Sequence, residues 1–190
     1  MNEKGSEPTP RNITKVERTS DREMVVTRTF DARAHILFEA WTRPELFMRW
    51  WAPKSMGVPM LSCEMDVRTG GTYRIEFGQD ASSAWAFFGK YVEVIPGSRL
   101  VWTNDEGEHG AVTTVTFEEI AGSEIARSEI AAPETDGSQK GGRTLLTFHE
   151  LYPSKEALDE ALVGMEGAMP EQFEQLDAVL ANLGASVARS

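Results

Sequence analysis

The chain has 190 residues, 30 acidic against 19 basic, for a net charge of −11. It lacks the clustered Lys and Arg that phosphate backbones require, which argues against nucleic-acid binding. Its single cysteine, Cys63, rules out an internal disulfide framework and suits a reducing cytoplasm. No apolar run nears the ~20 residues of a membrane span, and no signal-peptide core is visible, so membrane insertion is not expected. The length fits one domain that buries roughly 70% of its unfolded surface.

Residues 1–22 are polar, with prolines at 8 and 10, and read as a flexible tail in which Ile13 and Val16 give a means of docking. That tail is too short for a second folded domain. Residues 24–30 are rich in β-branched side chains and predict a first strand. Two short helices follow. Asp31 is a candidate N-cap before Ala34, Leu37, Phe38 and Trp41, which recur at helical spacing. Thr42 and Glu45 form a capping-box pattern ahead of Leu46, Phe47, Trp50 and Trp51. The Trp50–Trp51 pair reads first as core packing, since aromatic side chains dominate buried surface.

From residue 63 the pattern changes to alternation with period two. Cys63, Met65 and Val67 alternate with charged residues, Gly70-Gly71 makes a turn, and Tyr73, Ile75 and Phe77 alternate again. Further strands are expected at 85–95, 99–103, 112–119 and 144–151, about seven in all and largely antiparallel. Parity turns Tyr73, Ile75, Phe77, Leu100, Trp102, Val115, Phe117, Leu146 and Phe148 towards one face. Phe87 and Tyr91 join them unless a bulge intervenes. Residues 120–142 are acidic and rich in Gly, Ser and Ala, and read as a mobile insertion.

Residues 153–183 carry the longest helical pattern. Leu158, Ala161, Leu162, Met165, Met169, Phe173, Leu176, Leu180 and Leu183 share one face, and acidic residues including Asp177 share the other. Ser154 is placed to cap it. Pro170 predicts a kink or break near Gly167. Residues 185–190 form a C-terminal tail, leaving 23–184 as the folded domain.

The order strand, two helices, six strands, long helix is that of the helix-grip fold, an α+β architecture in which a curved antiparallel sheet wraps a long C-terminal helix. The segments VVTRTFDA, FEAWTRPELFMRWWAP, DVRTGGTYRIEF, FFGKYVEVIPGSRLVWT, LYPSKEALDEAL and GMEGAMPEQFEQLDAVL occur in the order found in a bacterial START-like family. It is the family named after the C-terminal domain of the activator of the Hsp90 ATPase, and the resemblance covers roughly residues 20–184. Three departures stand out: Arg33 where Pro is frequent, Phe173 where Trp or Tyr is common, and the longer 120–142 insertion.

The resemblance implies a cavity between sheet and helix, used in related folds for lipids, polyketides, steroids or plant hormones. Some relatives are cyclases and others bind chaperones, so the fold does not fix the function. On this basis a small apolar or amphipathic molecule is expected between Met165, Met169 and Phe173 of the helix and Phe77, Phe87, Tyr91, Trp102 and Phe148 of the strands. Trp50 closes one end of the expected site. A protein-interaction module and a cyclase- or hydrolase-type cavity enzyme are the alternatives.

No catalytic motif is present, and no catalytic residue, metal site or cofactor is assigned. His35, His109 and His149 are too scattered to suggest metal ligation. His149 has the chemistry of a general acid or base but outward parity. Glu150 has inward parity, though its place at a strand end suggests solvent. Cys63 reads as a small buried hydrophobe. Asp66 and Arg68 read as a surface ion pair.

Overall fold

The computed structural model describes residues 13–104, 110–120 and 142–187. Eight strands form one curved antiparallel sheet. They are β1 (Lys15–Arg18), β2 (Glu23–Phe30), β3 (Met60–Met65), β4 (Thr72–Phe77), β5 (Trp85–Ile95), β6 (Arg99–Asn104), β7 (Val112–Ile120) and β8 (Arg143–Leu151). Their order across the sheet is β1-β2-β8-β7-β6-β5-β4-β3. Helices α1 (Ala34–Thr42) and α2 (Pro44–Phe47) follow β2, and α3 (Lys155–Val187) ends the chain. This is the expected helix-grip fold with one more strand than the sequence indicated.

The extra strand is β1, which falls inside the segment expected to be a tail. It pairs with β2 from Lys15–Thr27 to Arg18–Met24, and Val16 packs on the core. A short polar strand carries little signal of its own, and its order comes from the ladder it joins. The histidine at 109, most of the 120–142 insertion and residues 1–12 lie outside the described residues. The backbone of α3 continues to Val187, past the boundary expected at 184.

The helix starts differ from the sequence reading. Arg33, not Asp31, is the N-cap of α1, and it makes no side-chain cap bond. Asp31 instead lies 3.6 Å from the Arg143 guanidinium. Pro44 holds the preceding Arg43 in extended backbone, so Arg43 becomes the N-cap of α2 and the Thr42 capping box does not form. The Thr42 hydroxyl donates to the Phe38 carbonyl at 2.8 Å. Ser154 does cap α3, its Oγ accepting from the Ala157 amide at 3.2 Å.

Alternation along β4 and β8 places Tyr73, Ile75, Phe77, Leu146 and Phe148 in the core, as their parity requires. In β5 a bulge falls between Tyr91 and Glu93. Val92 is pushed out, 54% exposed, while Tyr91 and Val94, three residues apart, both face inward. The turn before β4 is tied to this strand: the Gly70 amide donates to the Tyr91 carbonyl, and the Tyr91 amide to the Gly71 carbonyl. A Cβ on Gly71 would sit 1.9 Å from the Asp66 carbonyl oxygen, so the turn tolerates only glycine there.

Helix α3 runs 33 residues, about 50 Å. It continues through Pro170, so of the kink or break expected there the break does not occur, although that residue leaves the Glu166 carbonyl without its usual donor. Packing and side-chain contacts hold the second half against the rest of the chain. Met169, Phe173, Leu176 and Leu180 are buried. The Gln175 amide donates to the Trp50 and Ala52 carbonyls at 2.8 and 2.9 Å and accepts from the Lys54 amide at 3.1 Å. Gln172 donates to the Trp51 carbonyl, and Glu171 takes the Ser55 amide and hydroxyl. Asp177, expected on the solvent face, pairs with Arg28, a buried cation on the inner face of β2. Sequence periodicity misplaces Asp177 because its partner belongs to a distant strand.

Candidate functional site

A cavity of about 370 Å³ lies between the sheet and the first half of α3. That is within the roughly 300–1,000 Å³ of small-molecule sites. Alternation on β4, β5, β6 and β8 supplies Tyr73, Ile75, Phe87, Tyr91, Leu100, Trp102, Asn104, Phe148 and Glu150. The two-helix segment contributes Trp41, Phe47 and Trp51, the end of β3 contributes Met65, and Tyr152, Ala161 and Met165 come from the last strand–helix junction and α3. Trp51, Met65, Phe87, Trp102, Asn104, Tyr152, Ala161 and Met165 are half-buried, and the other lining residues are buried.

Of the nine residues expected to bind a ligand, the structure brings five to this cavity: Phe87, Tyr91, Trp102, Phe148 and Met165. The other four lie elsewhere. Trp50 is fully buried beside Trp41, with its indole N–H donating to the Ala40 carbonyl at 2.9 Å. That is the core role its first reading gave it. Phe77 stacks on Trp85 at 4.9 Å, near the far end of β4. Met169 and Phe173 are further along α3, where Phe173 meets Phe30 at 5.5 Å and closes the core. Their faces were read correctly, but parity carries no information about depth along the sheet.

Aromatic rings dominate the walls. The Trp41 centroid lies 5.7 Å from Trp51, 6.1 Å from Trp102 and 6.2 Å from Phe148, and Trp102 lies 6.3 Å from Phe148. Set into this surface are two polar groups. In the first, the Tyr73 hydroxyl lies 2.6 Å from the Asn104 side-chain oxygen and 3.3 Å from the Thr103 carbonyl. This approach needs Gly89 between the strands, since a Cβ there would come within 2.9 Å of the Tyr73 hydroxyl and 1.8 Å of the Thr103 carbonyl oxygen.

The second group centres on Glu150, which is only 7% exposed. The expectation that a strand-end position means solvent fails here, because Tyr152, Met165 and β7 cover it. The Thr113 hydroxyl donates to Glu150 Oε1 at 3.0 Å, and the Tyr152 hydroxyl donates to Oε2. The Tyr152 oxygen is also 3.3 Å from Met165 Sδ. Burial pushes the Glu150 carboxyl above its usual range, against the opposing pull of the Tyr152 and Thr113 hydrogen bonds. Burial, then the neighbouring Glu150 carboxylate, pushes the Tyr152 phenol upward. Tyr91 is likewise raised by burial.

Sequence reasoning missed Tyr152, Asn104, Tyr73 as a polar group, and Trp41, Phe47, Met65 and Ala161 as wall residues; it turned Ile75 and Leu100 inward without assigning them to the site, and read Trp51 first as core. Parity signalled Glu150 and Tyr73 but not what covered them. His149 is turned away from the cavity, its Nε2 3.4 Å from Glu23. Cys63 is half-buried rather than buried, and burial pushes its thiol up to about 11. Asp66 and Arg68 form the expected surface pair at 2.9 Å. Among the described residues, no group of three His, Cys, Asp or Glu side chains could hold a metal ion. Among the same residues, no helix is long and apolar enough to cross a membrane.

A curved antiparallel sheet gripping a long helix over an aromatic cavity defines a START-like protein of the helix-grip class. Residues 31–132 match the family described as activator of Hsp90 ATPase homolog 1-like protein, and the chain belongs to that family. No curated protein sequence matches it. Among solved structures, a protein from Rhodobacter sphaeroides is similar at 21% identity and a TM-score of 0.71, over 90% of this chain and 99% of that one. One from Mycobacterium smegmatis is similar at 20% identity and a TM-score of 0.64, over 90% and 98%. The AHSA1-like protein from Aeromonas hydrophila is similar at 18% identity and a TM-score of 0.54, over 82% and 93%. These likenesses establish the shared fold, and family membership supports a ligand-binding or interaction module.

Proposed function

We propose that this protein binds a small, largely apolar molecule in the cavity beneath the first half of α3, without catalysing its conversion. The observation that carries the reading is the cavity itself: about 370 Å³, walled mainly by aromatic and aliphatic side chains, with polar groups at two places. Such a surface takes up an apolar body by burial and orients it through few hydrogen bonds. Among the described wall residues Glu150 is the single carboxyl, hydrogen-bonded to the Tyr152 phenol and the Thr113 hydroxyl, with no histidine, lysine or second carboxyl in the wall, a set that suits orienting a ligand. The single free cysteine and the acidic surface suit a cytoplasmic carrier or sensor.

The test is a titration of aromatic and aliphatic probes followed by amide NMR shifts. Saturable changes are expected along β5, β6 and β8 and at 161–165. Ala161→Trp, which places an indole in the cavity from the helix side, should abolish them while leaving unfolding cooperative. If no probe saturates at millimolar concentration, or if Ala161→Trp binds as well as the wild type, the reading falls. The protein-interaction alternative would then lead.

A further inference from the structure

We propose that the preferred occupant is an organic cation, a lipophilic amine or ammonium whose charged end pairs with Glu150 while its apolar body lies among the tryptophans. This inference rests on the small-molecule reading above. The wall offers a carboxyl group and, among its described residues, no Lys, Arg or His to balance it. Among the described residues none supplies a positive charge to Glu150 inside the cavity, which leaves that part to a ligand.

The aromatic lining points the same way. Trp41, Trp51, Trp102 and Phe148 lie with centroids 5.7–6.3 Å apart along successive contacts. Ring faces carry negative quadrupolar charge, and tryptophan attracts ammonium groups most strongly. Glu150 lies two residues beyond Phe148 on the same face of β8. Through Thr113 it is also in register with Trp102 two strands away, about 10 Å at the usual strand spacing. A short amphipathic amine spans that interval.

The carboxyl is prepared for a counter-ion. Both of its oxygens accept hydroxyl hydrogen bonds, from Thr113 and Tyr152, which favour the ionised form. Burial opposes ionisation while no positive charge is near. On binding, the ammonium keeps its proton and favours the ionised carboxyl, so whatever proton burial holds on Glu150 passes to solvent and the ion pair carries no net charge. Beside Glu150 stand Thr113 of β7, Met24 paired to it on β2, and the Tyr152 phenol, which also meets Met165 of α3; Tyr91 and Tyr73 are on β5 and β4, further across the same cavity. Phenols ordinarily ionise near 10, so a proton released on amine binding well below that pH is that of Glu150.

The experiment compares 4-phenylbutylamine with its neutral counterpart 4-phenylbutan-1-ol by calorimetry and amide NMR, at pH 6, 7 and 8. Wild-type protein should bind the amine at least tenfold more tightly than the alcohol at pH 8. Amine affinity should rise with pH by up to tenfold per unit, while alcohol affinity stays flat. Calorimetry in two buffers of different ionisation enthalpy should show proton release with the amine alone. Glu150→Gln should remove the preference for the amine over the alcohol. If that variant fails to fold, the wild-type ratio and the proton release decide the matter. Equal binding of amine and alcohol, or a preference that survives Glu150→Gln, overturns the cation proposal and leaves the cavity reading standing. If neither probe binds, both fall.

Discussion

Replacing Glu150 with Gln isolates the energetics of the buried carboxyl. At pH 4 both side chains are neutral. Glutamine offers one acceptor oxygen where the acid has two, each already used by Thr113 or Tyr152. Losing one such bond costs about 1 kcal/mol, so the variant begins slightly less stable. The difference then moves the other way as pH rises. Burial raises the folded-state pKa of Glu150 above its unfolded value near 4.5. A raised pKa means that the stabilisation is fully present below the unfolded value and is lost as pH rises towards the folded one. Across that window wild-type stability falls relative to the variant by about 1.4 kcal/mol per pH unit. The difference should therefore shift in the variant's favour as pH rises above the unfolded pKa. Asp177 is raised by burial too, but it is present in both proteins and cancels in the difference. Urea unfolding followed by tryptophan fluorescence from pH 4 to 8 measures it. A stability difference that stays constant over this range would show that Glu150 ionises as an ordinary exposed acid, and would refute the argument.

Gln175→Ala removes the contacts to Trp50, Ala52 and Lys54, and should cost about 1–3 kcal/mol in urea unfolding with faster exchange of the Lys54 amide. Asp177→Ala strands the buried Arg28 guanidinium, whose Nε already has no partner, and should cost roughly 3 kcal/mol, the low end for a broken buried pair because Asp177 is 31% exposed. Replacing residues 121–141 with two glycines should fold cooperatively and gain at most about 1.5 kcal/mol from the shorter loop, because Ile120 and Arg143 are already paired across β7 and β8. Loss of a cooperative transition in that protein would refute the loop reading.

What the sequence made legible depended on period. Tyr73, Ile75 and Phe77 on β4 and Leu146 and Phe148 on β8 announced their faces by strict alternation, and the helical face from Leu158 to Leu180 announced itself by threes and fours. Where a local rule met a distant partner, legibility stopped. Asp177 looked like a solvent-facing acid because Arg28 is far off in the chain. Lys15–Arg18 looked like tail because its order comes from β2. Within the site, Phe87, Tyr91, Trp102, Phe148 and Met165 were readable as inward residues, yet Phe77, Met169 and Phe173 carried the same signal and fill the core instead. Nothing in a two- or four-residue period says which inward residues meet a partner and which face open volume.

That division has a physical origin in α3. In its second half, large side chains at Met169 and Phe173 reach the opposing rings, and the contacts of Glu171, Gln172, Gln175 and Asp177 fix the helix against them. In the first half Ala161 lines the cavity beside Met165, and its small side chain leaves volume open there. A volume of about 370 Å³ walled only by hydrocarbon would cost ~9 kcal/mol at the ~24 cal/mol per Å³ measured for core truncations, comparable to the 5–15 kcal/mol of a whole domain's stability. Glu150, Tyr152, Tyr73 and Asn104 lower that cost by giving the contents of the cavity hydrogen-bond partners. On the proposed reading, the same groups are the ones a ligand would have to satisfy, so selection between ligands would fall on their polar end rather than on the apolar body.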